Sequence, residues 1–134
     1  MSVERRALAR AITFFKSEGW EVTDVSRTRG HNGYDLVTTL GERICRVEVK
    51  GCSRPWQIPD LFNTEFDEHR RLIADILCVV YFAPGLEDTI CLIPRDAIPP
   101  ELVVEKWGYR ISSKFKKESV LKSYARKFST NDET

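Results

Sequence analysis

Residues 76–82 read ILCVVYF, a continuous run of apolar and aromatic side chains with no polar break. Seven residues is strand length, and successive strand side chains point to opposite faces. Such a run is what a strand buried on both faces requires, so its sheet needs chain packed above and below it. A turn at Pro84-Gly85 leads to a second apolar strand, Thr89 to Ile93.

The remaining elements follow from periodicity and punctuation. Val3, Ala7, Leu8, Ala11, Ile12 and Phe15 recur at helical spacing, predicting an amphipathic helix over residues 3–18 that Gly19 stops. Trp20, Val22 and Val25 suggest a strand to about residue 26, and SRTRGHNG (26–33) reads as a loop. Tyr34–Thr39 and Arg43–Lys50 read as strands joined by Leu40-Gly41-Glu42. After the proline-bearing stretch CSRPWQIPD, Thr64-Glu65-Phe66-Asp67 resembles a capping box and predicts a helix to about Ala74. Phe115, Leu121, Tyr124 and Phe128 form a partial helical stripe among lysines. The expectation is an α/β fold: a mixed sheet flanked by helices with an α-β-β-β-α-β core. Residues 1–111 would form the domain and residues 112–134 a basic C-terminal helix with a frayed tail.

The 134 residues suit one core, and 21 Lys plus Arg against 20 Asp plus Glu leave a formal net charge of +1. A uniformly basic coat is excluded, so any nucleic-acid contact must come from local clustering. Cys45, Cys52, Cys78 and Cys91 lack close Cys-x-x-Cys pairing and imply neither a zinc site nor a disulfide framework; Cys45, Cys78 and Cys91 lie in apolar runs, whereas Cys52 follows a glycine and is open to exposure. Reduced cysteines suit the cytoplasm. Charges interrupt every apolar stretch of the first twenty residues, so neither a signal peptide nor a membrane span is expected there.

Alternation puts Arg46, Glu48 and Lys50 on one face of their strand and Cys45, Val47 and Val49 on the other. The apolar set belongs in a core. The charged set is either a solvated face or a site, and the hairpin adds a second constraint. If Gly41-Glu42 are the two turn residues, paired numbers sum to 83, and Asp35 lies opposite Glu48. Directly opposed like charges are unfavourable. A divalent cation would reconcile them, because hard cations prefer oxygen ligands and offset the repulsion. Lys50 beside this pair could hold a water or a developing phosphorane charge.

Gly33-Tyr34-Asp35, a hairpin, then Val47-Glu48-Val49-Lys50-Gly51 resembles the PD-(D/E)xK nuclease superfamily, whose fold is restriction-endonuclease-like. Its GYD…EVKG wording, followed by Thr64-Glu65, is most similar to the domain named after the plant protein NO VEIN; archaeal Holliday-junction resolvases are also similar in size and layout. The resemblance implies that Asp35 and Glu48, helped by the Val49 carbonyl, bind Mg2+ with Mn2+ as substitute, and that Lys50 orients the nucleophile. Tyr34 stands where many members carry Pro.

Other residues carry two readings each. Glu4 is either an extra metal-site carboxylate or an ordinary acid in a helix's first turn. Arg27 and Arg29, with His31 and Asn32, could grip phosphates or merely solvate a loop. Trp56 could stack on a base, though a plug over the core is the commoner use of such a residue. Glu65 and His69 are spaced like a helical metal pair, but no H-E-x-x-H pattern accompanies them and a solvated helix face is the commoner reading. Lys114, Lys116 and Lys117, with Lys122, Arg126 and Lys127, could bind a phosphate backbone or solubilise a docked helix.

The function expected is a metal-dependent endonuclease acting on nucleic acid, DNA before RNA, with a homodimer suited to cutting both strands. The alternative is a non-cleaving nucleic-acid-binding module of the same fold in a restriction or repair complex; a third is an interaction domain with no nucleic-acid partner.

Overall fold

The computed structural model describes residues 2–27, 33–61, 63–105, 109–113, 115 and 117–127. It opens with α1 (Val3–Ser17), whose N-cap Ser2 side chain accepts the Arg5 N–H at 3.2 Å. Gly19, at φ +91°, takes the left-handed conformation that ends it.

Strands β1 (Glu21–Asp24), β2 (Leu36–Leu40), β3 (Arg43–Cys52), β4 (Ile76–Tyr81) and β5 (Thr89–Pro94) follow. They form one mixed sheet in the order β1-β2-β3-β4-β5, completed beyond β5 by β8 (Ala125–Lys127). Every pairing is antiparallel except β3 with β4. A separate hairpin joins β6 (Val103–Glu105) and β7 (Tyr109–Ile111), and a short helix, α2 (Glu118–Ser123), precedes β8. Among the described residues no helix is long and apolar enough to cross a membrane.

Strand β4 accounts for the apolar run. Cys78 and Val80 join Leu36, Val47, Val49 and Ile90 under Ala7, Ala11, Phe14 and Phe15 of α1. Leu77, Val79 and Tyr81 face the other way, into a second core with Cys91, Ile93, Leu61, Phe66, Leu72, Phe115 and Leu121. Helix α1 sits close on the sheet because Gly51 has no side chain. A Cβ there would lie 2.7 Å from Val3 Cγ1 and 3.2 Å from Ala7 Cβ.

Three expectations are corrected. The helix predicted over 64–74 is absent: only a 3-10 turn, Asn63–Glu65, forms. The Asp67 side chain accepts the backbone N–H groups of His69 at 2.8 Å and Arg71 at 3.0 Å, and Arg70 takes φ +61°. A carboxylate bonded to its own backbone in this way favours a turn over a continuing helix. The chain therefore doubles back, and Phe66 bridges to Leu72 with both buried. The crossover between parallel β3 and β4 thus lacks the helix such connections usually carry.

The described part of the C-terminal segment is not one continuous basic helix. Among its described residues only Glu118–Ser123 is α-helical, Phe115 and Leu121 enter the core, and β8 extends the sheet. Residues 128–134 lie outside the described residues. Cys52, open to exposure on sequence grounds, is buried.

Candidate active site

The β2–β3 hairpin pairs Leu40 with Arg43 and Leu36 with Val47, so paired numbers sum to 83 as the two-residue turn implies. One step beyond the last pair, the Asp35 N–H donates to the Val47 carbonyl at 2.8 Å. The Asp35 side chain then crosses to β3, where its Oδ2 accepts the Val49 N–H at 2.9 Å. Asp35 and Glu48 are neighbours, close enough for the Asp35 charge to disfavour ionisation of Glu48.

Glu48 is 5% exposed. Burial, then the nearby charges of Asp35 and Glu65, push its carboxyl up to about 9, against the opposing pull of Lys50. Lys50 projects from the same face, with Nζ 3.8 Å from Glu48 Oε1 and 2.6 Å from Glu65 Oε1. Sequence reasoning missed Glu65. The helix expected there would leave it solvated, whereas the actual turn buries it to 6% exposure above β3. The available signal was the adjacent Phe66, an apolar residue in a segment that has to cross the sheet face carrying Lys50.

These groups line a cleft of about 590 Å³. Glu4 and Arg5 of α1 and Arg27 reach it, as do Val49 and, unanticipated from sequence, Asp24. Carboxylates therefore outnumber cationic groups: Glu4, Asp24, Asp35, Glu48 and Glu65 face Arg5, Arg27 and Lys50.

Other candidates lie elsewhere. Lys117 is exposed at the start of α2 and is not part of the cleft lining. Arg29, Lys114 and Lys116 fall outside the described residues, as do His31 and Asn32. Arg46 pairs with Asp75 at 3.4 Å. His69 is exposed beside Glu68, away from any pairing with Glu65. Trp56 packs on Tyr81 at 5.7 Å between ring centroids, with Lys122 Nζ 5.4 Å from its ring, the arrangement of a plug over the core.

Among the described residues no three His, Cys, Asp or Glu side chains form a ready metal-holding group. The donor set that fits a hard divalent cation is the Asp35–Glu48 pair: oxygen ligands, one buried and one half-buried, in a cleft with excess negative charge.

No protein-family model matches the chain, and no curated protein matches it. Among solved structures, the chain is similar to that of a bacterial homing endonuclease, I-Ssp6803I, with a TM-score of 0.47 and 22% identity. The match covers 69% of this chain and 63% of that one, so the chain spans less than two thirds of that protein's length.

Proposed function

We propose that this chain is a metal-dependent endonuclease of the PD-(D/E)xK type, hydrolysing phosphodiester bonds in nucleic acid, DNA before RNA. Within that superfamily its wording is most similar to the NO VEIN C-terminal or resolvase-like branch. The observation that carries the reading is the pairing of the buried Glu48 carboxyl with the half-buried Asp35 carboxylate, with Lys50 held on the same face of β3.

Asp35 and Glu48 would hold Mg2+, or Mn2+ in its place. When bound, the cation supplies Lewis acidity at a phosphoryl oxygen and a more acidic water. The rest of the chemistry belongs to the chain. Lys50 presents an ammonium on the face where the scissile phosphate would enter, suited to orienting the attacking water and offsetting charge that builds in the transition state. Arg5 and Arg27 lie in the same cleft, where guanidinium groups can pair bidentately with phosphates on either side of the reacting one. Glu4, in the first turn of α1, adds a further carboxylate from the opposite wall. A symmetric dimer would bring two such clefts to the two strands of a duplex, and the reduced cysteines fit a cytoplasmic setting.

Incubation with duplex, single-stranded and branched DNA and with RNA, in Mg2+, Mn2+ or EDTA, tests the proposal. Cleavage in either metal that EDTA stops is the expected result. Binding without cleavage of any substrate would make the chain a non-cleaving nucleic-acid-binding module instead.

A further inference from the structure

Lys50 has two carboxylates within reach and sits unequally between them, 2.6 Å from Glu65 and 3.8 Å from Glu48. Both Glu65 and Lys50 have little solvent to turn to, with side chains 7% and 16% exposed. The backbone at Glu65 is fixed from several directions. Its carbonyl accepts the Ile73 N–H at 3.1 Å. The next residue, Phe66, is buried, bridges to Leu72 and stacks edge-on against Tyr109 at 5.0 Å. The Glu65 carboxylate is therefore delivered to Lys50 by a pinned turn rather than by a mobile side chain on a solvated helix.

This geometry matters because an ammonium and a divalent cation compete for the same carboxylate. Left without Glu65, the nearest carboxyl to Lys50 among the described residues is Glu48, 3.8 Å away, and a closer pairing there would occupy half of the donor pair. Resting on the reading of Asp35 and Glu48 as a metal pair, we propose that Glu65 is a positioning residue. It holds Lys50 off Glu48, so that the lysine and a divalent cation can occupy one cleft together.

The test is a double-mutant cycle read by calorimetric titration of the full chain with Mn2+ alone at one fixed pH. Glu65→Gln, which keeps the shape of the side chain, should weaken Mn2+ binding about tenfold, a coupling of the size found between groups in contact. Lys50→Met should rescue most of that loss in the Glu65→Gln background while changing affinity little when Glu65 is present. Should Glu65→Gln fail to fold by circular dichroism, Glu65→Asp, which keeps the charge but withdraws it by one methylene, takes its place in the cycle. Equal Mn2+ affinity in wild type and Glu65→Gln would overturn the proposal. Additive effects would overturn it too, since Glu65 would then act on the cation directly and not through Lys50. Both of these outcomes leave the metal pair standing, whereas a wild type that binds no Mn2+ defeats the pair and the proposal together.

Discussion

Asp35 accepts the backbone N–H of Val49 at 2.9 Å, tying the end of one strand to the middle of the next. The carboxylate is thus oriented by the hairpin itself, before any cation arrives. Asp35→Asn keeps an acceptor for Val49 and removes one of the negative charges crowded in the cleft beside Glu48. The metal-free variant should therefore melt at or above the wild-type temperature, while the stabilisation that Mn2+ gives by mass action disappears. Asp35→Ala removes the acceptor as well and should cost about 1–3 kcal/mol, the penalty of a buried unsatisfied amide. Thermal melts with and without Mn2+ separate the two effects. Equal Mn2+ stabilisation of wild type and Asp35→Asn would remove Asp35 from the metal site.

The raised Glu48 carboxyl has a consequence for stability in the absence of metal. The folded protein holds this proton up to about 9, whereas an unperturbed glutamate releases it near 4.5. Across that window the native state binds more protons than the unfolded chain, so stability falls as pH rises. The contribution is complete below about pH 4.5 and lost by about pH 9. Urea midpoints in EDTA should decline over this range in wild type and decline less in Glu48→Gln, which carries no titrating group. Mn2+ affinity should rise with pH over the same range, because the cation displaces the proton. Identical pH slopes in wild type and Glu48→Gln would reject the assignment.

The β2–β3 register, which brings Asp35 to the neighbourhood of Glu48, could be read from residue numbers alone, because a two-residue turn at Gly41-Glu42 leaves only one register for the strands around it. The buried β4 strand was equally legible, since seven apolar residues in a row can hardly face water. Glu65 was not. Its position depends on Asp67 turning the chain back, and an Asp three residues after a Thr reads equally well as part of a capping box. The extent of the C-terminal helix was misjudged for a related reason. Phe115, Leu121, Tyr124 and Phe128 among lysines read as one helical stripe, while Phe115 and Leu121 gain their partners from distant parts of the sheet. Neither the β6–β7 hairpin nor β8 was anticipated, each being only three residues long.

Docking of that segment changes what truncation should do. A free basic tail could be removed after Ser113 at no cost in stability. Here such a truncation strips Phe115 and Leu121 from the core and bares the edge of β5, so the shortened chain should unfold or aggregate. Leu121→Ala is the milder version. Leu121 is fully buried, so the variant should lose about 2–5 kcal/mol in urea denaturation. A truncated chain with wild-type stability would show that β8 and α2 are dispensable to the fold.

Lys50 distinguishes an enzyme from a binding module. An ammonium that meets charge developing on the phosphate contributes during the chemical step, and little to ground-state binding. Lys50→Met retains a stem of similar length without the charge, so it should bind nucleic acid nearly as well as wild type and retain Mn2+ through Asp35 and Glu48. Cleavage should fall by about a hundredfold or more, the scale of losing one transition-state donor. The substitution also leaves Glu65 in its buried position without the partner now 2.6 Å away, which is destabilising in its own right. The companion variant Lys50→Met/Glu65→Gln removes that stranded charge and should recover stability without recovering cleavage. Loss of activity in both variants, with nucleic-acid binding intact, assigns the defect to chemistry. Cleavage that returns in the double variant would mean that Lys50 serves the fold, and the catalytic role would have to be sought in Arg5, Arg27 or Glu4 along the same cleft.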